Sequence, residues 1–405
     1  MTEHNLFKTG AKIIERFEDN NYEGYFVGGA VRDYTLGRAV SDVDITTNAL
    51  PDEIESLFEK TIDVGKEHGT IIVLMDELPF EVTTYRVEGE YTDHRRPDNV
   101  FFTQHLKEDL SRRDFTINAM AMTADMKLYD PYDGITDLKA RIINTVGTAS
   151  DRFGEDALRM LRAVRFMSQL DFELADGAKE AISLHAGRLD YVAVERITAE
   201  LEKLYRGINV NSAKDMIAAT GLKSHMPFFK HIDKVQYLKS RAQSLEEEAV
   251  IHIYNDNLSA HLSELKLSNR QKMTIKQSLK LLEDLKNEMN IKLIAYRYET
   301  DILTSVNVII NNNELLSANH KEQLQSAIDM EPHLVIHNRN ELAVNGNALM
   351  TALNARGGPW LSVCLDTIEQ EVLLENIENN ESEIINWVNS HVKNEDGNIV
   401  FTDGR

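Results

Sequence analysis

Cysteine is almost absent from this 405-residue chain. Cys364 is the only one, which excludes an internal disulfide framework and any zinc site built on cysteines. Long apolar runs are missing as well: no stretch approaches the roughly 18 consecutive apolar residues that read as a membrane span. The amino-terminal MTEHNLFKTGAKIIERF lacks the apolar centre of a secretion signal, so a cytoplasmic location is expected. Positive charge is scarce. Lys and Arg number 44 against 66 Asp and Glu, a net charge of −22. Taken alone, that balance argues against nucleic acid as a partner. There is no internal repeat and no low-complexity tract. No His-Asp dipeptide occurs, so no appended metal-dependent phosphohydrolase is expected. What is present is ordinary: 42% hydrophobic residues, typical of a globular protein, and length for two to four domains.

Residues 1–20 have the period of an amphipathic helix, with Phe7, Ala11, Ile14 and Phe17 on one face. YFV (25–27) and DVDIT (42–46) read as buried strands, and GTIIVLM (69–75) and FEVTTYR (80–86) as two more joined by DELP. The segment 88–103 is polar, aromatic and basic by turns, without a period, and reads as a loop of functional length. After Gly147 the pattern becomes almost wholly helical, broken at Gly207, Gly221 and Pro227, and the chain closes in helices. The fold class expected is α+β: a small mixed-sheet head followed by an elongated all-α remainder.

The stretch YFVGGAVRDYTLGRAVSDVDITT (25–47) concentrates the chemistry. Side chains alternate across a strand, so Asp42 and Asp44 are expected on one face with Val43 and Ile45 on the other. Two adjacent carboxylates repel unless a cation lies between them. Mg²⁺ suits them, since it is held by one or two carboxylates plus substrate phosphates. A bare D-x-D is more often two solvated acids, but Gly28 and Gly29 stand between a strand and a helix start. Without Cβ atoms the backbone there admits a close ligand, and helix N–H groups attract phosphate. Arg32, in the first turn of that helix, is placed to reach the same phosphate. A phosphate cradle beside a metal-binding acid pair points to phosphoryl or nucleotidyl transfer. Glu81, on a neighbouring strand, is a candidate third carboxylate, with a structural role the plainer reading.

GGAVRDYTLGRAVSDVDITT resembles the nucleotidyltransferase signature of the polymerase-beta superfamily, in the form found in bacterial tRNA nucleotidyltransferases of class II. The resemblance continues through HGTI (68–71), RRDFTINAMA (112–121), YDPYDGITDLKARII (129–143), RFGEDALRMLRAVRF (152–166) and VAVERI (192–197). NGNAL (345–349) and RGGPW (356–360) are similar to the family's tail. The resemblance implies addition of C, C and A to tRNA lacking part or all of its 3′ CCA, from CTP and ATP. It implies two metal ions on Asp42 and Asp44, and contacts from Arg113, Asp114 and Asn118 to the incoming nucleotide. It also implies a head (1–147), a neck (148–207), a body (208–290) and a tRNA-binding tail (291–405). Bacterial poly(A) polymerases and partial CC- or A-adding enzymes share the head. A non-catalytic RNA-binding protein of the same fold is the alternative of another class.

In EDALR, Asp156 and Arg159 are three residues apart and are expected to share one helix face. A carboxylate accepts hydrogen bonds and a guanidinium donates them. Cytosine and adenine each present an amino donor beside a ring acceptor, which fits the pair. Uracil and guanine present the reverse order and would leave groups unpaired at about 1–3 kcal/mol apiece. Glu155 would orient Arg159 or brace the helix. One pocket reading C twice and then A has to change shape. The charged segment 88–100, with Asp93, Arg95 and Arg96, is the expected lever. Local basic stretches meet the charge objection. Residues 223–241 hold five Lys or Arg against one Asp, and Lys272, Lys276 and Lys280 follow a Ser268 N-cap at i,i+4 spacing.

Overall fold

The computed structural model describes residues 3–88, 100–395 and 398–401. The expected lever with Asp93, Arg95 and Arg96 lies outside the described residues. The chain divides into two compact units, Met1–Lys239 with His261–Lys266, and Ser240–Ala260 with Leu267–Arg405.

The first unit opens with helix α1 (Glu3–Glu18), which buries Phe7, Ile13, Ile14 and Phe17. Gly10 lets this helix lie against the sheet, since a Cβ there would stand 2.7 Å from the Phe26 ring. Strands β1 (Gly24–Val27), β2 (Asp44–Thr47), β3 (Thr61–Gly65), β4 (Thr70–Met75) and β5 (Leu78–Thr84) form most of a mixed sheet. Helices α2 (Gly29–Thr35) and α3 (Pro51–Leu57) interrupt them. Short strands β8 (Ala121–Met122) and β9 (Leu128–Tyr129) complete the order β3-β4-β5-β2-β1-β8-β9. Only β2 and β5 run parallel; every other neighbouring pair is antiparallel. Alternate residues Phe26, Ile45, Ile71, Val73, Phe80 and Val82 supply the core. The α+β class and the mixed-sheet head are thus as expected.

Three local readings need correction. Strand β2 begins at Asp44, so Asp42 precedes the ladder: β1 ends at Val27, opposite Asp44, and turns away at Gly28. The alternation still holds through the boundary, with Asp42 exposed and Val43 buried. Segment 88–103 is not loop at its edges. Strand β6 (Arg86–Glu88) pairs antiparallel with β7 (Val100–Phe102). Strand β3 was not foreseen because it is an edge strand whose Ile62 and Val64 remain exposed.

Helices α4 (Leu106–Ser111) and α5 (Gly134–Ala140) close the head. Beyond them, α6 (Ala149–Glu155), α7 (Leu158–Leu170), α8 (Asp176–His185) and α9 (Val194–Tyr205) pack mainly through α7 against α9 and α6 against α8. The second unit is helical from Leu245–Asp256 to Glu381–His391 but ends in a hairpin, Val392–Glu395 with Asn398–Phe401, where helix was expected. No helix among the described residues is long and apolar enough to cross a membrane.

Candidate active site

Sheet register brings the glycine turn and the acids together. Asp44 is the first residue of β2, paired with Val27 on one side and Glu81 on the other. Val27 leads directly into Gly28, whose φ of 73° lies in the left-handed region. A Cβ at Gly28 would stand 2.9 Å from Arg113 Nη1 and would push that guanidinium aside, while the backbone conformation itself favours glycine. Burial raises the Asp44 carboxyl to about 6, Glu81 pushes further, Arg113 opposes, and Asp42 adds to the rise. Three carboxylates therefore converge with too little positive charge between them. That is the electrostatic signature of a site able to hold divalent cations on oxygen ligands. Asp42 is exposed and accepts a hydrogen bond from the Ser41 hydroxyl.

Beside these acids opens a cleft of about 480 Å³. Seven arginines line it (32, 112, 113, 159, 162, 165 and 196) against three aspartates (44, 114 and 156). A chain with a net charge of −22 thus presents a cationic interior where a polyanion would enter. Arg113 Nε and Arg196 Nη1 are buried without a hydrogen-bond partner among the described residues. Buried donors of that kind call for an anion.

Of the residues singled out in the sequence, Gly28, Gly29, Arg32, Asp44, Arg113, Asp114, Asn118, Asp156 and Arg159 all line this cleft; Asp42 and Glu155 do not. Several are joined by hydrogen bonds. Arg32 Nη1 donates to Asn118 Oδ1 at 2.8 Å, Asn118 Nδ2 to Asp114 Oδ1 at 3.2 Å, and Arg162 Nε to Asp114 Oδ2 at 2.8 Å. Burial pushes the Asp114 carboxyl up, but Arg162, Asn118 and Arg159 outweigh it and hold Asp114 below the ordinary aspartate value. Arg32 also grips Asp33 through Nε and Nη2.

Asp156 and Arg159 do not share a helix. Asp156 caps the end of α6 with extended backbone (φ −134°, ψ 107°), and Arg159 lies in the first turn of α7. The break frees the Asp156 carboxylate, whose Oδ1 accepts from the Leu158 N–H at 3.0 Å and Oδ2 from Arg196 Nη2 at 2.7 Å. Glu155 accepts from Arg159 Nη1 and, at 2.9 Å, from Arg152 Nη1.

Two family models match the chain: the poly A polymerase head domain over residues 24–144, and tRNA nucleotidyltransferase domain 2 over residues 248–388. A CCA-adding enzyme of Staphylococcus aureus (strain Newman) is 43% identical over 398 residues, spanning 96% of this chain and 99% of that protein. The chain belongs to the CCA-adding enzyme family. The crystal structure of the Bacillus stearothermophilus CCA-adding enzyme in complex with CTP matches with a TM-score of 0.80 at 35% identity, covering 95% of this chain and 97% of that one. A Thermotoga maritima CCA-adding enzyme complexed with tRNA shares the fold at 21% identity, with a TM-score of 0.63 over 95% and 94% of the two chains.

In this member of the CCA-adding enzymes, sequence reasoning missed the residues that hold the cleft in shape. Asp109 is fully buried and accepts from Arg112 Nε at 2.9 Å. Glu200 accepts from Arg165 Nε at 2.5 Å and lies 3.8 Å from Arg162. Signals for them existed. Arg162 and Arg165 repeat the three-residue step of Arg159, and Arg196 and Glu200 are four apart on α9.

The basic segment 223–241 is less available than its composition suggests. Lys223 is buried and donates to the carbonyls of Phe229, at 2.8 Å, and Ile232. Lys272, Lys276 and Lys280 are all exposed on helix Asn269–Lys286, which Ser268 and Gln271 close with a reciprocal capping box.

Proposed function

We propose that this chain adds C, C and A, without a template, to the 3′ end of tRNA lacking part or all of its CCA. CTP and ATP are the donors and pyrophosphate is released. The observation that carries the reading is one cleft that joins the Asp44 acid cluster to the Asp156–Arg159 pair, in a member of the CCA-adding enzymes. Asp42 and Asp44, with Glu81 beside them, would hold two Mg²⁺ ions. When bound, the ions would offset charge on the attacking and leaving oxygens. The glycine turn at Gly28 and Gly29 lets the triphosphate approach the backbone, and Arg32 and Arg113 face its oxygens. Asp114 and Asn118 orient the sugar.

Base choice follows from the Asp156–Arg159 pair. Asp156 accepts from the amino group of cytosine or adenine, and Arg159 donates to the ring nitrogen beside it. Glu155 aims Arg159, and Arg196 aims Asp156. Lys272, Lys276 and Lys280 form a phosphate track for tRNA. Head (1–147), neck (148–207), body (208–290) and tail (291–405) are the working divisions of this reading, with the reaction in the cytoplasm.

The deciding experiment incubates the protein and Mg²⁺ with tRNA lacking its 3′ end, supplying each NTP separately and then CTP with ATP. Growth by two nucleotides with CTP alone and by three with both supports the reading. Long adenosine tails would make it a poly(A) polymerase, and arrest after one kind of addition a partial enzyme.

A further inference from the structure

A second cluster of ligating side chains lies apart from the cleft, in the 3₁₀ turn Phe229–His231 and the 3₁₀ segment Ser259–Leu265. Glu264 divides its two carboxylate oxygens between different partners. Oε2 accepts from the Phe228 N–H at 3.3 Å and lies 3.2 Å from Lys230 Nζ. Oε1 receives two imidazoles, His231 Nε2 at 2.9 Å and His261 Nδ1 at 2.8 Å. The two rings stack, with centroids 3.7 Å apart and an angle of 23° between their planes.

The turn held by this cluster is under strain. Phe228 is a buried aromatic at φ 66°, ψ −51°, and the Phe229 N–H bonds back to the Pro227 carbonyl at 2.8 Å. That is a γ-turn of the rare, strained hand. Something has to secure it, and the Phe228 N–H is secured by Glu264.

The geometry points to a metal site formed by His231 Nε2, His261 Nδ1 and Glu264 Oε1, suited to a borderline divalent ion of the Zn²⁺ class. Two imidazoles and a carboxylate are the donor set such ions take, whereas Mg²⁺ prefers oxygen alone. The three donor atoms lie within 4.8 Å of one another. Metal–ligand bonds of about 2.0–2.1 Å in a tetrahedron set donor separations near 3.4 Å. The two contacts to Oε1 would open by about half an ångström, and the two rings, now stacked nearly parallel, would turn apart so that each points its in-plane lone pair at the ion. Each imidazole would bind with its proton on the other ring nitrogen. Lys230 and the Phe228 N–H would stay on Oε2, fixing the carboxylate from behind. All three ligands are partly exposed, so water takes the fourth position. A bound ion would staple the strained turn to the 259–265 segment.

The test is titration of the full chain with Co²⁺ in saturating Mg²⁺, which occupies the carboxylate cluster, followed by displacement with Zn²⁺. One equivalent should bind with a visible band of tetrahedral intensity, and melting should move upward. His231→Ala and His261→Gln should each weaken binding at least tenfold and abolish the band. If a variant does not fold, ring-nitrogen NMR of the wild-type protein decides: Zn²⁺ should shift His231 Nε2 and His261 Nδ1 before any other imidazole. Absence of the band, equal binding by folded variants, or first shifts at other histidines would overturn the site.

Discussion

Arg196 Nη2 lies 2.7 Å from Asp156 Oδ2, so the carboxylate proposed to read the base edge is fixed from a separate helix. Its other oxygen is held by the Leu158 N–H at 3.0 Å. Arg196→Ala should leave Asp156 in place but held by the Leu158 N–H alone. Losing one charge-assisted hydrogen bond of about 1.5–3 kcal/mol predicts a fall in kcat/KM of about tenfold or more for CTP and ATP. Discrimination against UTP should narrow at the same time. Steady-state kinetics with each NTP measure both, and an equal loss for all four would make Arg196 merely structural.

Arg159 is held by Glu155, which Arg152 also binds. Arg159→Ala should admit UTP and GTP more readily relative to CTP and ATP, beyond slowing the reaction. Glu155→Gln should produce a weaker form of the same relaxation, because the guanidinium survives and only its aim is lost. Single-nucleotide incorporation assays would show it. Unchanged base preference in both variants would refute the base-reading role.

Much of this was legible in the sequence, and the failures have physical reasons. Glycine pairs, a D-x-D and ordered motifs marked nine residues that do line one cleft. Local period could not reveal that β2 starts at Asp44, because the limit is set by where β1 turns away. Nor could it reveal the break at Asp156, since i,i+3 spacing looks the same across a kink as along a helix. Asp109 and Glu200 left only a partial signal: Asp109 stands three residues from Arg112 and Glu200 four from Arg196, but spacing does not show that Asp109 is buried or that Glu200 reaches Arg165 on another helix. Lys223 shows the converse. Composition counted it as surface charge, but packing turned it inward onto two carbonyls.

Helix Asn269–Lys286 buries Ile275, Ser278 and Leu282 and exposes Lys272, Lys276 and Lys280. Replacing all three lysines by alanine should leave melting unchanged, because alanine favours helix and no core contact is lost. Binding of tRNA should weaken most at low salt. Each lost phosphate contact removes about 0.7–0.9 from the slope of log K against log salt, so the slope should fall by roughly 2–3. An unaltered slope in filter binding would remove these residues from the tRNA path.

The carboxylate cluster makes a prediction about stability as well as rate. Asp44 titrates near 6 in the folded protein, against an ordinary aspartate value of 3.8, because burial, Glu81 and Asp42 disfavour its charge more than Arg113 favours it. The folded state therefore holds this proton more tightly than the unfolded state does. The resulting stabilisation is fully present below pH 3.8 and is lost as pH rises through 6. At neutral pH without metal, the ionised Asp44 is thus a burden on the order of 2–3 kcal/mol. Asp44→Asn removes the charge while keeping the shape. In EDTA above pH 6 the variant should melt several degrees higher than wild type, with the gap closing toward pH 4. Adding Mg²⁺ should raise the wild-type melting temperature and leave the variant unmoved, and the variant should incorporate neither C nor A. Asp42→Ala should be equally inactive without the same gain in stability, because Asp42 is exposed. An Asp44→Asn protein less stable than wild type in EDTA at pH 7.5 would show that the acids are already compensated by Arg113, and that the cluster is not poised for metal.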